Sequence, residues 1–317
     1  MSDKKLPLAG QERYVSEIDE QGLGAVDAVA DDSAPSSQWK IAWHNLKRRP
    51  LFWVSALLIL MAVVMAVFPQ LLAPGDPRTC DLGNSLGSPS AGHPFGFDRQ
   101  GCDIYTRTIH GARASVTVGL LTTILVVIIG TTLGALAGFF GGILDALLSR
   151  LTDIFFAIPL VLAAIVVMQM FKEGRNLVTV VLVLGLFGWT NIARIARGTV
   201  LSLKNEEYVT AARALGASKA TIIMRHILPN AAAPIIVYAT VALGSFIVAE
   251  ATLSFLGIGL PTSVVSWGGD ISAAKASLRT QPMVLFYPAF ALALTVLSFI
   301  MMGDVVRDAL DPKSRKN

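Results

Sequence analysis

Cysteine occurs only twice in 317 residues, histidine four times, and charged side chains make up 15% of the chain. Two cysteines exclude a disulfide-dense secreted scaffold and a cysteine-rich zinc or iron–sulfur centre. The histidines stand at 44, 93, 110 and 226, without metal-ligand spacing, so no metal site is expected. Charge this sparse lies well under the roughly 25% of a soluble domain and excludes an ordinary soluble enzyme. A GxxxxGK[ST] phosphate loop is missing, so no nucleotide hydrolysis and no catalytic residue are expected in this chain. The opening residues also lack a basic start followed by an apolar core and a small-residue cleavage site, hence no secretory leader is read. Residues 1–38 are instead acidic, aperiodic and rich in Ser, Gly and Ala, as expected of a disordered tail.

What the chain has in excess is apolar surface, 53% of residues with a mean hydropathy of +0.60. A membrane-crossing helix takes ~20 mostly apolar residues. Six stretches qualify: Leu51–Leu72, Ser115–Phe139, Ile154–Phe171, Leu177–Ile192, Pro234–Phe255 and Met283–Met302. The expected fold is all-α and polytopic, with six transmembrane helices. The net charge of +4 and pI near 9.1 reflect Lys and Arg at the ends of apolar runs, a sign of topology rather than of nucleic-acid binding. With the N-terminus inside, 18 of the 26 Lys and Arg fall on the cytoplasmic side, including Lys47, Arg48 and Arg49 against the first span. Both termini are therefore expected in the cytoplasm. Ahead of that span, Trp39, Ile41, Ala42, Trp43 and Leu46 share one helical face, which suits an interfacial amphipathic helix over 39–50. Residues 73–114 then form an extracytoplasmic loop, and Arg194 and Arg197 close the fourth span on one face.

One polar stretch interrupts the apolar pattern, EYVTAARALGASKATIIMRHILPN from Glu207 to Asn230. Good helix formers run from Glu206 to Leu215, Gly216 makes a joint, and Ala217 to Leu228 is helical again until Pro229 stops it. That is a cytoplasmic αα-hairpin. Its small residues Ala211, Ala212, Ala214 and Ala217 let another protein surface approach closely.

The stretch resembles the EAA loop of ABC-importer permeases. In that register Thr210-Ala211-Ala212, Gly216 and His226-Ile227-Leu228-Pro229 carry the match, over a loop of about 204–230. Thr210 and His226 depart from the general pattern in the way usual for the dipeptide/oligopeptide branch. HPFGFDRQGCDIYTRTIHGARAS from His93 to Ser115 is similar to the segment that leads the second permease subunit of that branch into its second span. ATLSFLGIGLPTSVVSWGGDI and GDVVRDALDP match the same branch, so the likeness runs from Trp39 to Pro312. It implies a permease core over 115–312, a short tail at 313–317 and a multi-pass protein of the plasma or inner membrane.

The resemblance further implies a second permease as partner, two ATPase subunits that bind ATP and Mg, an extracytoplasmic solute-binding protein, and peptide as cargo. No cofactor and no nucleic acid are expected on this chain. Coupling to the ATPase subunits falls on Glu207, Tyr208, Thr210, Ala211, Ala212, Arg213, Gly216, Ala217, Ser218, Arg225, His226 and Pro229. Glu207 and Arg213 are candidates for ionic contacts, and Arg225 with His226 for bracing the second helix. Glu250 lies inside the fifth span, where an unpaired carboxylate costs ~2.5 kcal/mol or more. It is either a translocation-path or subunit-interface contact or a satisfied structural carboxylate. Cys80 and Cys102 share the outer loop, as a disulfide or as two free thiols. Other cargoes served by this permease type (nickel chelates, glutathione, sugars) stay open, as does a secondary transporter. A purely structural membrane protein leaves the hairpin unexplained.

Overall fold

A computed structural model describes residues 43–310; the expected tails and residues 39–42 of the expected interfacial helix lie outside this range. Residues 43–46 form a helical turn. Helix α1, Pro50–Val67, begins with Pro at its first position, where no backbone donor is needed. A turn at Pro69–Leu72 follows it. The loop that comes next is held by isolated bridges, among them Cys80 with Cys102 and Phe97 with Asp103.

Helix α2, Ile104–Phe140, starts earlier than its hydropathy suggests, so part of the expected loop over 73–114 is helical. The Asp103 carboxylate caps it by accepting from the Thr106 N–H at 3.0 Å. The polar residues of this first part have work to do on α1. Arg113 donates from Nε to the Ala66 carbonyl at 3.0 Å and from Nη2 to that of Val67 at 3.1 Å, meeting carbonyls that the end of α1 leaves open.

The third and fourth expected spans, Ile154–Phe171 and Leu177–Ile192, each cross a break between two helices, and each pair of helices reaches beyond the expected bounds. Helices α3, Gly142–Phe156, and α4, Leu160–Met170, meet at 80°. Pro159 stands at that break and cannot continue the ladder of α3. Helices α5, Leu177–Gly188, and α6, Thr190–Leu203, meet at 45° beside Trp189. Among the described residues four helices are long and apolar enough to cross a membrane, or up to six spans result if each bent pair is one. Among the described residues there is no strand beyond the isolated bridges.

Helix α7, Glu207–Ala214, leads into α8, Leu228–Phe255, by way of a helical turn at Lys219–Thr221 and a π-helical segment at Ile222–Ile227. Pro229 does not stop the second arm, contrary to expectation. It lies within a continuous helical run from Lys219 to Phe255. The wider turn in front of it, closed by the Leu228 N–H on the Ile223 carbonyl, accommodates a residue that has no N–H and crowds the carbonyl four places back. Helix α9, Trp267–Ala274, and α10, Met283–Leu310, are the last helices among the described residues.

Two packed clusters meet along α2 and α8. One joins them to α4, α5 and α6 around Met168, Leu184 and Ile192; the other joins them to α1, α9 and α10 around Met65, Trp267 and Phe299. The outside stays apolar, with Leu57, Leu60, Ile143 and Leu147 all exposed. Side chains of that kind facing outward are at home in lipid, not water.

Candidate functional site

The hairpin stands at the end of the bundle where α6 finishes and α8 begins. Val209 of α7 is buried against Ile222, Ile227, Ala135 and Val200, and Ala212, three residues on, is buried too. That period of three turns the rest of α7 outward, and Glu207, Tyr208, Thr210, Ala211 and Arg213 are exposed. Gly216 then takes φ +81°. Its N–H reaches the Arg213 carbonyl at 3.1 Å and the Ala217 N–H reaches that of Ala212 at 3.0 Å, the paired bonds of a Schellman motif. A Cβ at Gly216 would meet nothing within 4 Å, so the backbone angle and not space calls for glycine. Ser218 restarts the helix as its cap, its hydroxyl accepting from the Thr221 N–H at 3.2 Å.

Arg225 and Pro229 are exposed and His226 half-buried. The His226 carbonyl accepts from Asn230 Nδ2 at 2.7 Å. The first arm, the glycine joint and the start of the second arm thus form one knob on the surface. Leu215 at its tip is 88% exposed and Met224 65%. Neither residue stands out in the sequence, because each reads as an ordinary apolar helix position. Only the burial of Val209 and Ala212 shows that the core side of the knob is already filled.

A close seam connects the knob to the bundle. A Cβ at Gly130 would lie 2.7 Å from the Trp189 carbonyl oxygen and one at Gly138 2.8 Å from that of Arg197; Gly134 meets the Ala193 carbonyl closer still. Glycines four residues apart therefore let the α2 and α6 backbones touch. Lys204, just past α6, donates to the Gly138 carbonyl at 2.8 Å. Arg197 holds Asp145 of α3 through Nε at 2.5 Å and Nη2 at 2.8 Å. Arg194 pairs with Asp153 at 2.9 Å and lies over the Phe156 ring. These arginines thus brace α6 on α3.

Glu250 is fully buried. Ser115 of α2 donates to one carboxylate oxygen at 2.9 Å and Ser254 to the other at 2.7 Å, while the Ser254 hydroxyl accepts the Leu260 N–H at 3.1 Å. The carboxylate ties α2, α8 and the following loop together inside the chain. At the same end of the bundle Cys80 and Cys102 are joined as a disulfide. Beside it Arg107 donates to Asp270 from Nε at 3.0 Å. Burial pushes the Asp270 carboxyl up to about 6 against the opposing pull of Arg107.

The chain matches the family described as binding-protein-dependent transport system inner membrane component over residues 130–316. Residues 37–89 match the N-terminal TM domain of oligopeptide transport permease C. It is 39% identical to the oligopeptide transport system permease protein OppC of Bacillus subtilis (strain 168), over 92% of this chain and 95% of that one. Identity is 38% to the dipeptide transport system permease protein DppC of Alkalihalophilus pseudofirmus, over 90% and 93% of the two chains. It is 37% to the glutathione transport system permease protein GsiD of Escherichia coli O6:K15:H31, over 92% and 95%. The fold is shared with a chain of the inward-facing MetNI methionine ABC transporter, with a TM-score of 0.53 at 20% identity, over 63% of this chain and 94% of that one.

Proposed function

The chain belongs to the family of binding-protein-dependent transport inner membrane components and is a multi-pass ABC-importer permease; from that premise we propose that it imports peptides and takes its drive through the Glu207–Asn230 hairpin. The relatives just described are transport permeases, two of them for peptides and one for glutathione, itself a short peptide. A second permease completes the path, a solute-binding protein delivers cargo, and two ATPase subunits bind ATP and Mg. The chain contributes no catalytic group of its own.

The observation that carries the coupling reading is the knob with its core side filled and Leu215 bare. An apolar tip flanked by Glu207 and Arg213 suits a socket with a greasy floor and a charged rim. The hairpin lies in the cytoplasm in this reading, as the Lys and Arg distribution favours. Closure of the ATPase pair moves the knob, and the α2–α6 seam carries the movement into the bundle. Inward-open and outward-open populations then shift because the two states bind the ATPase pair differently.

Affinity purification of the tagged chain from its native membrane tests the assembly. A second permease and ATPase subunits are expected with it, and a Leu215→Asp chain should lose the ATPase subunits while keeping the permease. Purification of the wild-type chain without any ATPase subunit would contradict the reading.

A further inference from the structure

In the half of the bundle away from the hairpin, α1, the start of α2 and α10 leave a slot of about 300 Å³ between them. Met61 and Met65 of α1, Ile109 of α2, and Phe290, Ala291 and Leu294 of α10 line it. Among the described residues no charged side chain does, and the Tyr105 hydroxyl at its rim is already donating to the Leu72 carbonyl at 3.1 Å. A space walled in this way offers water no partners and suits an apolar guest. Its floor is buried, with Met65 and Ile109 each 6% exposed, while its lips are open, with Met61 56% and Phe290 50% exposed. Those lips continue the apolar outer surface of α1, where Leu57 and Leu60 are exposed. Along α10 the slot runs from Tyr287 to Thr295, roughly 12 Å at ~1.5 Å per residue. At the Tyr287 end Phe95 stacks on the tyrosine ring with centroids 3.9 Å apart, and Tyr105 meets Phe95 edge-on at 5.3 Å. Tyrosines gather at the membrane–water boundary, so this end of the slot sits at headgroup depth and the other end roughly 12 Å further into the hydrocarbon.

We propose that the slot holds one acyl chain of a phospholipid from the leaflet opposite the hairpin, entering at the aromatic end and running down between α1 and α10. Lipid is the solvent of this surface, so the chain needs no delivery. Wall atoms that face a void forfeit dispersion contacts, and a hydrocarbon chain restores them. Met61 and Met65 suit a guest without fixed shape, because unbranched thioether side chains mould themselves to irregular gaps. A helix of a partner subunit does not fit: at ~10 Å across it would displace about 900 Å³ over the same length. Among the described residues the polar links between α1 and α10 lie at the hairpin end, where Arg49 pairs with Asp308 at 2.6 Å and the Ser55 hydroxyl lies 4.0 Å from the Met302 sulfur. The acyl chain completes the contact at the other end, and the seat of α1 thereby depends on the bilayer.

Photolabelling of the assembled importer tests it, in nanodiscs of phosphatidylethanolamine whose acyl chain carries a mid-chain diazirine, with the adducts mapped by mass spectrometry. Adducts are expected on Met65 and Ile109, which lipid on the outer surface does not reach, as well as on the exposed Leu57 and Phe286. Moving the diazirine towards the glycerol end should shift labelling of α10 from Leu294 towards Tyr287. Ala291→Phe fills the slot from its wall and should remove the Met65 and Ile109 adducts, while those on Leu57 persist and the ATPase subunits still co-purify. Leu294→Trp, which fills the slot from one turn deeper, should do the same and serves where the Ala291→Phe complex fails to assemble. Adducts confined to exposed side chains overturn the proposal, and that is also the result if a side chain of the second permease occupies the slot. Adducts on Met65 and Ile109 that persist at full yield in the filled variants overturn it as well.

Discussion

The Asp145 carboxylate grips the Arg197 guanidinium through two hydrogen bonds, one to each oxygen, and so fastens α3 to the helix that leads into the hairpin. Bidentate pairs of this kind fix geometry as well as contributing energy. Reversing one member, Asp145→Arg or Arg197→Asp, sets like charges against each other and should cut peptide uptake per ATP hydrolysed by about tenfold. The double reversal should recover most of the loss. Proteoliposome uptake measured beside ATPase rate checks this, and a double reversal no better than the singles would count against the brace.

At Gly216 the demand is for a positive φ, not for room. Asparagine tolerates that region and β-branched residues do not. Gly216→Asn should keep ATPase association, whereas Gly216→Val should weaken it, because the left-handed region costs an L-residue about 1–2 kcal/mol. Co-purification yields from matched membranes read the difference. Equal yields for the two variants would show that the joint does not need its turn.

The Cys80–Cys102 bond closes a loop with a sequence separation of 22. Closing a loop of that order restrains the unfolded chain by about 3 kcal/mol. Cys80→Ser with Cys102→Ser should therefore make the 73–103 loop markedly more sensitive to protease added at the outer face. Intact-mass alkylation should label neither thiol of the wild type before reduction and both after it.

Asp270 gives a pH dependence with a definite sign. Its folded carboxyl is pushed up to about 6 by burial, with Arg107 pulling it down and Asp98 adding to the rise, against an ordinary value of 3.8. Between those values the folded chain keeps a proton that the unfolded chain has released. The stability from this site is thus fully present below 3.8 and is lost as pH rises through about 6. Asp270→Asn removes the titration. In thermal denaturation of the solubilised complex, wild type should lose ground to the variant between about pH 4 and about pH 7. A gap that is constant or moves the other way would contradict it.

Much of this was legible along the chain. The apolar runs mark where α1, α2, α8 and α10 cross, and the polar stretch with its glycine marks the hairpin, because both are local patterns. The bends at Pro159 and Trp189 were not, since hydropathy records how apolar a run is and not which way it points. Helix α2 hid its first part because His110 and Arg113 are polar, and they are polar to meet carbonyls of residues 37 to 47 places earlier. Asp145 and Arg197, 52 residues apart, carry no sign in sequence that they meet. Pro229 reads as a stop because the rule it follows is local, and the π turn that accommodates it shows no such mark.

The central claim is that ATP drives peptide across this permease through the hairpin. Uptake of labelled dialanine by proteoliposomes holding the whole importer and its binding protein measures it directly, with wild type and Leu215→Asp side by side. The account predicts uptake that requires ATP in the wild type and is lost in the variant. Uptake that continues without ATP on an ion gradient, or that is unchanged in an ATP-driven Leu215→Asp complex, would contradict it.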